Sequence, residues 1–194
     1  MRLTEAGPGP VPTPPLPAFK EHLRLGFGFT DDGSEDGLIQ EYLSAAVMAV
    51  ERRTARALVA RDFVLVVSGP DADGCVAVPI GPVSGIVSAV IRDGSATTAL
   101  DVAGWRVTPG ETGQRIGAVG GALPVPAAGA RLEIVLTAGL GADWTGVPGD
   151  LAQAVLILAA DFYSRRGTEG AKSLTTDLPA AFTSLTDAWR PLRV

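Results

Sequence analysis

Apolar positions along the chain change period twice. Across residues 35–58, Leu38, Tyr42, Ala45 and Ala49 recur at helical spacing, with Ile39, Leu43, Ala46 and Val50 alongside. This predicts a long helix with a wide, small-residue apolar face. From Asp62 to about Thr137 the period becomes two. Phe63, Leu65 and Val67 lead, Val76, Val78 and Ile80 return after the turn Asp71-Ala72-Asp73-Gly74, and residues 86–92 follow, closed by Asp93-Gly94. Residues 105–107 and 114–118 are shorter candidates, and residues 131–137 place Leu132, Ile134 and Leu136 on one face. The pattern predicts antiparallel strands, the first two joined as a hairpin through Gly74. Pro79 and Pro82 put the end of the second strand at a sheet edge. Helical period resumes at residues 150–166, where Gln153 is the only polar side chain in the ten positions after Asp150. A helix apolar on all sides is expected to be buried on most of them.

The ends read differently. Residues 8–17 hold six prolines, which predict an extended, flexible arm. A PxxP spacing between Pro12 and Pro15 leaves open a ligand for an SH3-type domain. Residues 19–25 predict a short helix. Residues 31–37 form an acidic turn whose Ser34 or Asp36 is placed to cap the long helix. An EF-hand loop starting at Asp31 would need a bidentate Glu at its twelfth position, and Tyr42 stands there. Residues 167–173 read as a linker. Beyond them Leu178, Phe182, Leu185, Trp189 and Leu192 recur every three or four residues, predicting a short amphipathic helix at about 180–189. Such a tail can fold back on its own domain or dock on a partner.

The expected fold is therefore α+β: two long helices packed together, an antiparallel β subdomain inserted between them, and an extended C-terminal tail. The expected divisions are a Pro-rich flexible arm (1–18), a main domain (19–166, helical at 19–58 and 147–166, β insertion at 62–137) and a docking tail (167–194).

Composition narrows the function. The chain has 194 residues, 46% hydrophobic, with a net charge of −5 and only two lysines, Lys20 and Lys172. Duplex binding through phosphates needs a basic patch of a size not present here, so tight DNA binding is not expected. Arg52, Arg53 and Arg56 close the first long helix. They suit the negative end of its dipole, or phosphates lining a channel. The single cysteine, Cys75, allows no disulfide within one chain and suits a reducing cytoplasm. No basic segment followed by an apolar one opens the chain, and residues 151–160, the longest apolar stretch, are too short to span a bilayer.

Catalysis needs convergent groups of tuned pKa. His22 has no metal-partner spacing, and Cys75 falls on an expected strand. Residues 167–173 (GTEGAKS) miss the P-loop spacing, and no GxSxG or GxGxxG motif occurs. Glu51 and Asp161 are scattered carboxylates. The expectation is a protein with no catalytic residues, no metal and no cofactor.

Several segments in order resemble one family. They are FKEHLRL (19–25) with the acidic loop and DGLI (36–39), AVERRTARAL (49–58), VPIGPVSGI (78–86), TAGLG (137–141), VPGDLAQAVLILAADFYSRRG (147–167) and WRPLRV (189–194). This succession is similar to the phage head–tail connector (adaptor) family, which includes adaptors of gene transfer agents. The resemblance spans most of residues 19–194, and the proline-rich start departs from it. It implies a structural protein of the particle neck, assembled in the bacterial cytoplasm into a ring, typically dodecameric. It implies that the ring links the portal to a stopper or tail-completion protein and lets double-stranded DNA pass without tight binding. It places portal contact on the C-terminal segment, where Leu178, Phe182, Leu185, Trp189, Arg190, Leu192 and Arg193 are the candidates. Arg52, Arg53 and Arg56 are the candidates for DNA-channel contact, and no membrane is involved. The alternative is a soluble interaction module that uses its Pro-rich arm or tail.

Overall fold

A computed structural model describes residues 1–7, 11–23, 33–110, 113–165 and 178–191. The chain is mixed α and β and divides into two compact units. The first takes in residues 1–7, Ala55–Ala142 and Pro191, and the second residues 11–54 and Asp143–Arg190.

The first unit is built from two antiparallel sheets. One contains β1 (Arg2–Glu5), β2 (Arg61–Val67), β4 (Val83–Asp93), β5 (Ala96–Leu100) and β8 (Arg131–Ala138), in the order β1-β2-β8-β4-β5. The other contains β3 (Val76–Val78), β6 (Trp105–Gly110) and β7 (Gly113–Ala118), in the order β3-β7-β6. Strand β8 shows why the pleat specifies its register. Leu132, Ile134, Leu136 and Ala138 are buried, while the residues between them are not. Across the sheet Ile134 stands beside Leu65 on one side and Ala89 on the other. A one-residue slip would turn that whole row to the other face. Trp105, Ile116 and Leu123 complete the same core. Each large aliphatic or aromatic side chain buried there contributes roughly 1.5–3 kcal/mol.

Three expectations change here. Residues 2–5 are a strand and not part of an arm. Leu3 packs against the core, and Glu5 accepts two hydrogen bonds from Arg61, at 2.8 and 3.1 Å. The Arg61 guanidinium lies 4.8 Å over the Phe63 ring, so the ion pair sits on an aromatic support. The Asp71–Gly74 turn forms, with Gly74 N–H donating to Asp71 C=O at 2.9 Å, but it does not join a hairpin. Strand β2 pairs with β1 and β8, and β3 pairs with β7 at the edge of the other sheet. The intervening Ser68-Gly69-Pro70 lets the chain leave one sheet and enter the other. The first long helix also ends early, at Thr54. Ala55 takes φ +52°, and Ala57, Leu58 and Val59 run on as buried chain outside any helix or strand. Their backbone is held by Gly81, Leu140 and Gly141.

The second unit is helical: α1 (Leu16–His22), α2 (Asp36–Thr54), α3 (Gly149–Arg165) and α4 (Ala180–Asp187). Pro17 lies in the first turn of α1, where a missing N–H leaves no gap in the helix. Phe19 is fully buried and Lys20 pairs with Asp36 at 2.5 Å. Helix α2 packs on α3. Tyr42 meets Tyr163 edge-on at 6.3 Å, and the Tyr163 hydroxyl donates to Glu35 at 2.5 Å. The buried side of α2 is Ile39, Leu43, Ala46, Val47 and Val50, and that of α3 is Leu151, Ala154, Val155, Leu158 and Ala159. Among the described residues no helix is long and apolar enough to cross a membrane.

Candidate assembly surfaces

The tail positions named from sequence separate into two groups. Helix α4 lies on α3 and touches α2. Phe182 is 1% exposed, and Thr186 is buried. The Thr186 hydroxyl satisfies itself within the helix by donating to the Phe182 carbonyl at 2.9 Å. It also accepts from Arg53 Nε at 2.7 Å. The same guanidinium reaches Asp187 Oδ1 at 2.8 Å and stands 5.6 Å over the Phe182 ring. One turn further on, Trp189 donates its indole N–H to Asp150 Oδ2 at 2.6 Å. Leu185 is half-buried, whereas Leu178 and Arg190 are exposed. Leu192 and Arg193 lie outside the described residues, as do the linker at 167–173 and its P-loop-like run.

The three arginines proposed for a channel do not act alike. Arg53 is committed to α4. Arg52 is exposed and donates back to the Met48 carbonyl at 3.2 Å. Arg56 is half-buried and belongs to the first unit, past the end of α2.

The face of α2 also differs from the one read from sequence. Leu38 and Ala45 are exposed, not buried, because the packed stripe runs through Ile39, Leu43, Ala46 and Val50. Leu38, Glu41, Ala45, Met48 and Arg52 therefore form an exposed row at alternating spacings of three and four. Met48, 46% exposed, was the residue that sequence reasoning missed here. The apolar stripe was wide enough that periodicity could not choose its centre.

At the other end of the chain the PxxP spacing is not a free ligand strand. Pro14 is buried, and Thr13 Oγ1 accepts from Gln40 Nε2 at 2.6 Å. Of the acidic turn, Asp36 lies in the first turn of α2. Residues 31–32 fall outside the described ones.

No protein-family model and no curated protein matches the chain. Solved structures do. A chain of the neck of an empty GTA particle, computed with C6 symmetry, is 39% identical with a TM-score of 0.85, covering 100% of this chain and 97% of that one. A chain from the virion of a native gene transfer agent (GTA) particle is 39% identical with a TM-score of 0.82, over the same shares. A chain from the neck of a native GTA particle, computed with C12 symmetry, is 35% identical with a TM-score of 0.76, again over the same shares. The chain belongs to the head–tail connector family that includes gene transfer agents.

Within that family membership, the chemistry-bearing residues of this chain have ordinary surroundings. His22 is exposed and its ring stacks near Phe19, with centroids 6.3 Å apart. Cys75 is half-buried and precedes β3. Glu51 is buried in α2, and Asp161 accepts from Arg165 one helical turn on. Among the described residues no group of three or more His, Cys, Asp or Glu side chains is placed to hold a metal ion. One carboxyl is shifted. Hydrogen bonds from the Thr145 hydroxyl, then from the Thr145 amide, hold Asp143 below the usual carboxylate range.

Proposed function

We propose that this chain is a structural component of the particle neck, the adaptor that joins a DNA-filled head to a tail. The observation that carries the reading is full-length similarity, at 35–39% identity, to chains of gene transfer agent necks and virions. In this reading copies of the chain form a ring, a dodecamer, a number compatible with the C12 and C6 symmetries with which two related necks were computed. A cyclic ring needs two different surfaces on each copy, one meeting the other on its neighbour. The exposed α2 row, with Ala45 and Met48 between Glu41 and Arg52 and Leu38 at its start, sets apolar side chains beside charged ones, the mix such a surface carries. The portal protein binds one side of the ring through the C-terminal segment, and a stopper or tail-completion protein binds the other. Helices α2 and α3, with the inserted β unit, form the connector body. Double-stranded DNA passes through the lumen. A net charge of −5 per copy suits that role, because tight phosphate binding would resist ejection.

The test is electron microscopy of particles from cells that make this chain and from cells that lack it. The expected result is a ring of this chain under the portal, and tailless heads in its absence. Tailed particles in its absence, or density for it elsewhere, would overturn the proposal.

A further inference from the structure

Helices α2 and α3 pack on each other, and each turns a second row of side chains away from its partner. Tyr42, in the first half of α2, meets Tyr163, in the last turn of α3. At the other end, Arg53 of α2 and Asp150 of α3 both hold the α4 segment, through Thr186 and Trp189. The two helices are therefore antiparallel, and each step along α2 is matched by an equal step back along α3. The far side of α2 carries Glu41, Ala45, Met48 and Arg52, all exposed. The far side of α3 carries Gln153, Leu156, Ala160 and Ser164, exposed at the two ends and half-buried between them. Spacings of three and four keep each set in one row, and the buried residues of each helix lie on the opposite side. Counted from the Tyr42–Tyr163 contact, Glu41 is level with Ser164, Ala45 with Ala160, Met48 with Leu156 and Arg52 with Gln153. At matching levels, polar stands with polar and apolar with apolar.

We infer that these two rows meet between copies: the far side of α2 on one copy packs on the far side of α3 on the next, with both helices along the ring axis. The inference rests on the ring reading above and names the surfaces that close the ring. A cyclic contact joins two different surfaces, and the two rows lie on opposite sides of one helix pair, so each copy offers one row to each neighbour. Rotation about an axis along the helices leaves every level unchanged, so residues level within a copy are also level between copies. Ala45 and Met48 then cover Ala160 and Leu156 in an apolar centre with polar ends. Arg52 donates its Nε–H to the Met48 carbonyl and keeps further N–H groups for the Gln153 carbonyl oxygen. The Ser164 hydroxyl, which donates to the Asp161 carbonyl in its own helix, can turn to donate to Glu41. Arg52 accordingly faces a neighbouring copy and not the DNA.

Disulfide cross-linking of the full chain in particles tests it, with Ala45→Cys and Ala160→Cys in a Cys75→Ser background. Within one copy these positions lie on opposite sides of the helix pair, out of disulfide reach, so any cross-link joins two copies. Oxidised particles with both substitutions should give a ladder of covalent multimers on a denaturing gel, and either substitution alone should give none. Charge exchange is the second arm. Arg52→Glu should leave the Tm of the free chain unchanged and lower the yield of tailed particles by about tenfold, and adding Gln153→Arg to the same chain should restore it. A ring in electron micrographs of the particles without the ladder would overturn these surfaces and leave the ring reading standing. Absence of any ring would overturn the ring reading itself. Should the double-cysteine chain fail to assemble, full tailing by Arg52→Glu, or no rescue by Gln153→Arg, overturns the pairing.

Discussion

Asp150 serves two partners with its two oxygens: Oδ1 accepts from the Leu151 amide at 2.8 Å, and Oδ2 accepts from the Trp189 indole at 2.6 Å. The carboxylate therefore stabilises the positive end of α3 and ties down the chain beyond α4 in one residue. Trp189→Phe should cost about 1.5–3 kcal/mol in chemical denaturation, the range for a hydrogen bond to a charged acceptor. Asp150→Ala should cost more, because the helix start loses its anion as well. Equal losses in the two variants would mean that the interaction with the helix start contributes nothing.

Arg53 makes a different prediction. Its ion pair with Asp187 is half in water, the Asp187 side chain being 51% exposed, so the pair itself should be weak. Its stem and guanidinium cover Phe182 and satisfy Thr186. Arg53→Ala is expected to destabilise by roughly 1–2 kcal/mol through packing and the Thr186 bond. Asp187→Ala should cost less than about 0.5 kcal/mol. A double-mutant cycle between them should give a coupling below about 1 kcal/mol. A larger coupling would show that the charge pair, and not the packing, holds α4.

How far the sequence could be read depended on where local pattern and tertiary demand agreed. Helix α3 was legible almost to the residue, since its start after Pro148 and its apolar run leave no competing period. Strand β8 was legible for the same reason, every second position from Leu132 to Ala138 being buried and none of those between. Strand β5, Ala96-Thr97-Thr98-Ala99-Leu100, was not, because none of its first four positions is buried and so no alternation marks it. The Asp93-Gly94 signal beside it, with Gly94 at φ +58°, was the available clue. Strand β1 was hidden by the proline run that follows it, which suggested an arm. The partner of β3 was beyond local reading, since pairing with β7 joins residues some 40 positions apart in sequence. In the tail, the spacing of Phe182, Leu185 and Trp189 was readable, but spacing does not say whether an apolar stripe faces its own body or another chain.

Asp143 links the short 3-10 turn at Trp144–Gly146 to pH. The Thr145 hydroxyl and amide donate to its carboxylate at 2.6 and 2.8 Å and favour the charged form. A carboxyl with a depressed folded-state pKa adds stability that is full above its unfolded value. That stability is lost as pH falls through the folded value. Asp143→Asn should therefore flatten part of the acid limb of the stability curve, below the usual carboxylate range, and leave the slope near neutrality unchanged. Urea denaturation at a series of pH values reads this. An identical acid limb in the variant would show that the turn reforms equally well around the neutral carboxyl.

Gly139 gives the sharpest prediction for the TAGLG segment. It follows β8, and its N–H donates to the Pro82 carbonyl at 2.9 Å. A Cβ at this position would overlap the backbone nitrogen and Cα of Ala60 and would lie 2.6 Å from the Val59 carbonyl carbon. These are main-chain atoms, so no side chain can swing aside. The neighbouring segment is also pinned, with Ala60 N–H donating to Gly141 C=O at 2.7 Å and Leu140 N–H to Ala57 C=O at 3.0 Å. Relief requires the two segments to separate and give up some of those bonds. Gly139→Ala is accordingly expected to destabilise the β unit by about 3–4 kcal/mol or more, large for the addition of one methyl group. Gly149→Ala, at a position with open space around its Cβ, is the control and should stay within about 1 kcal/mol of the parent. Thermal denaturation of the two variants side by side decides the point. A Gly139→Ala protein as stable as the control would mean that the approach of residues 139 and 60 is not fixed by the fold.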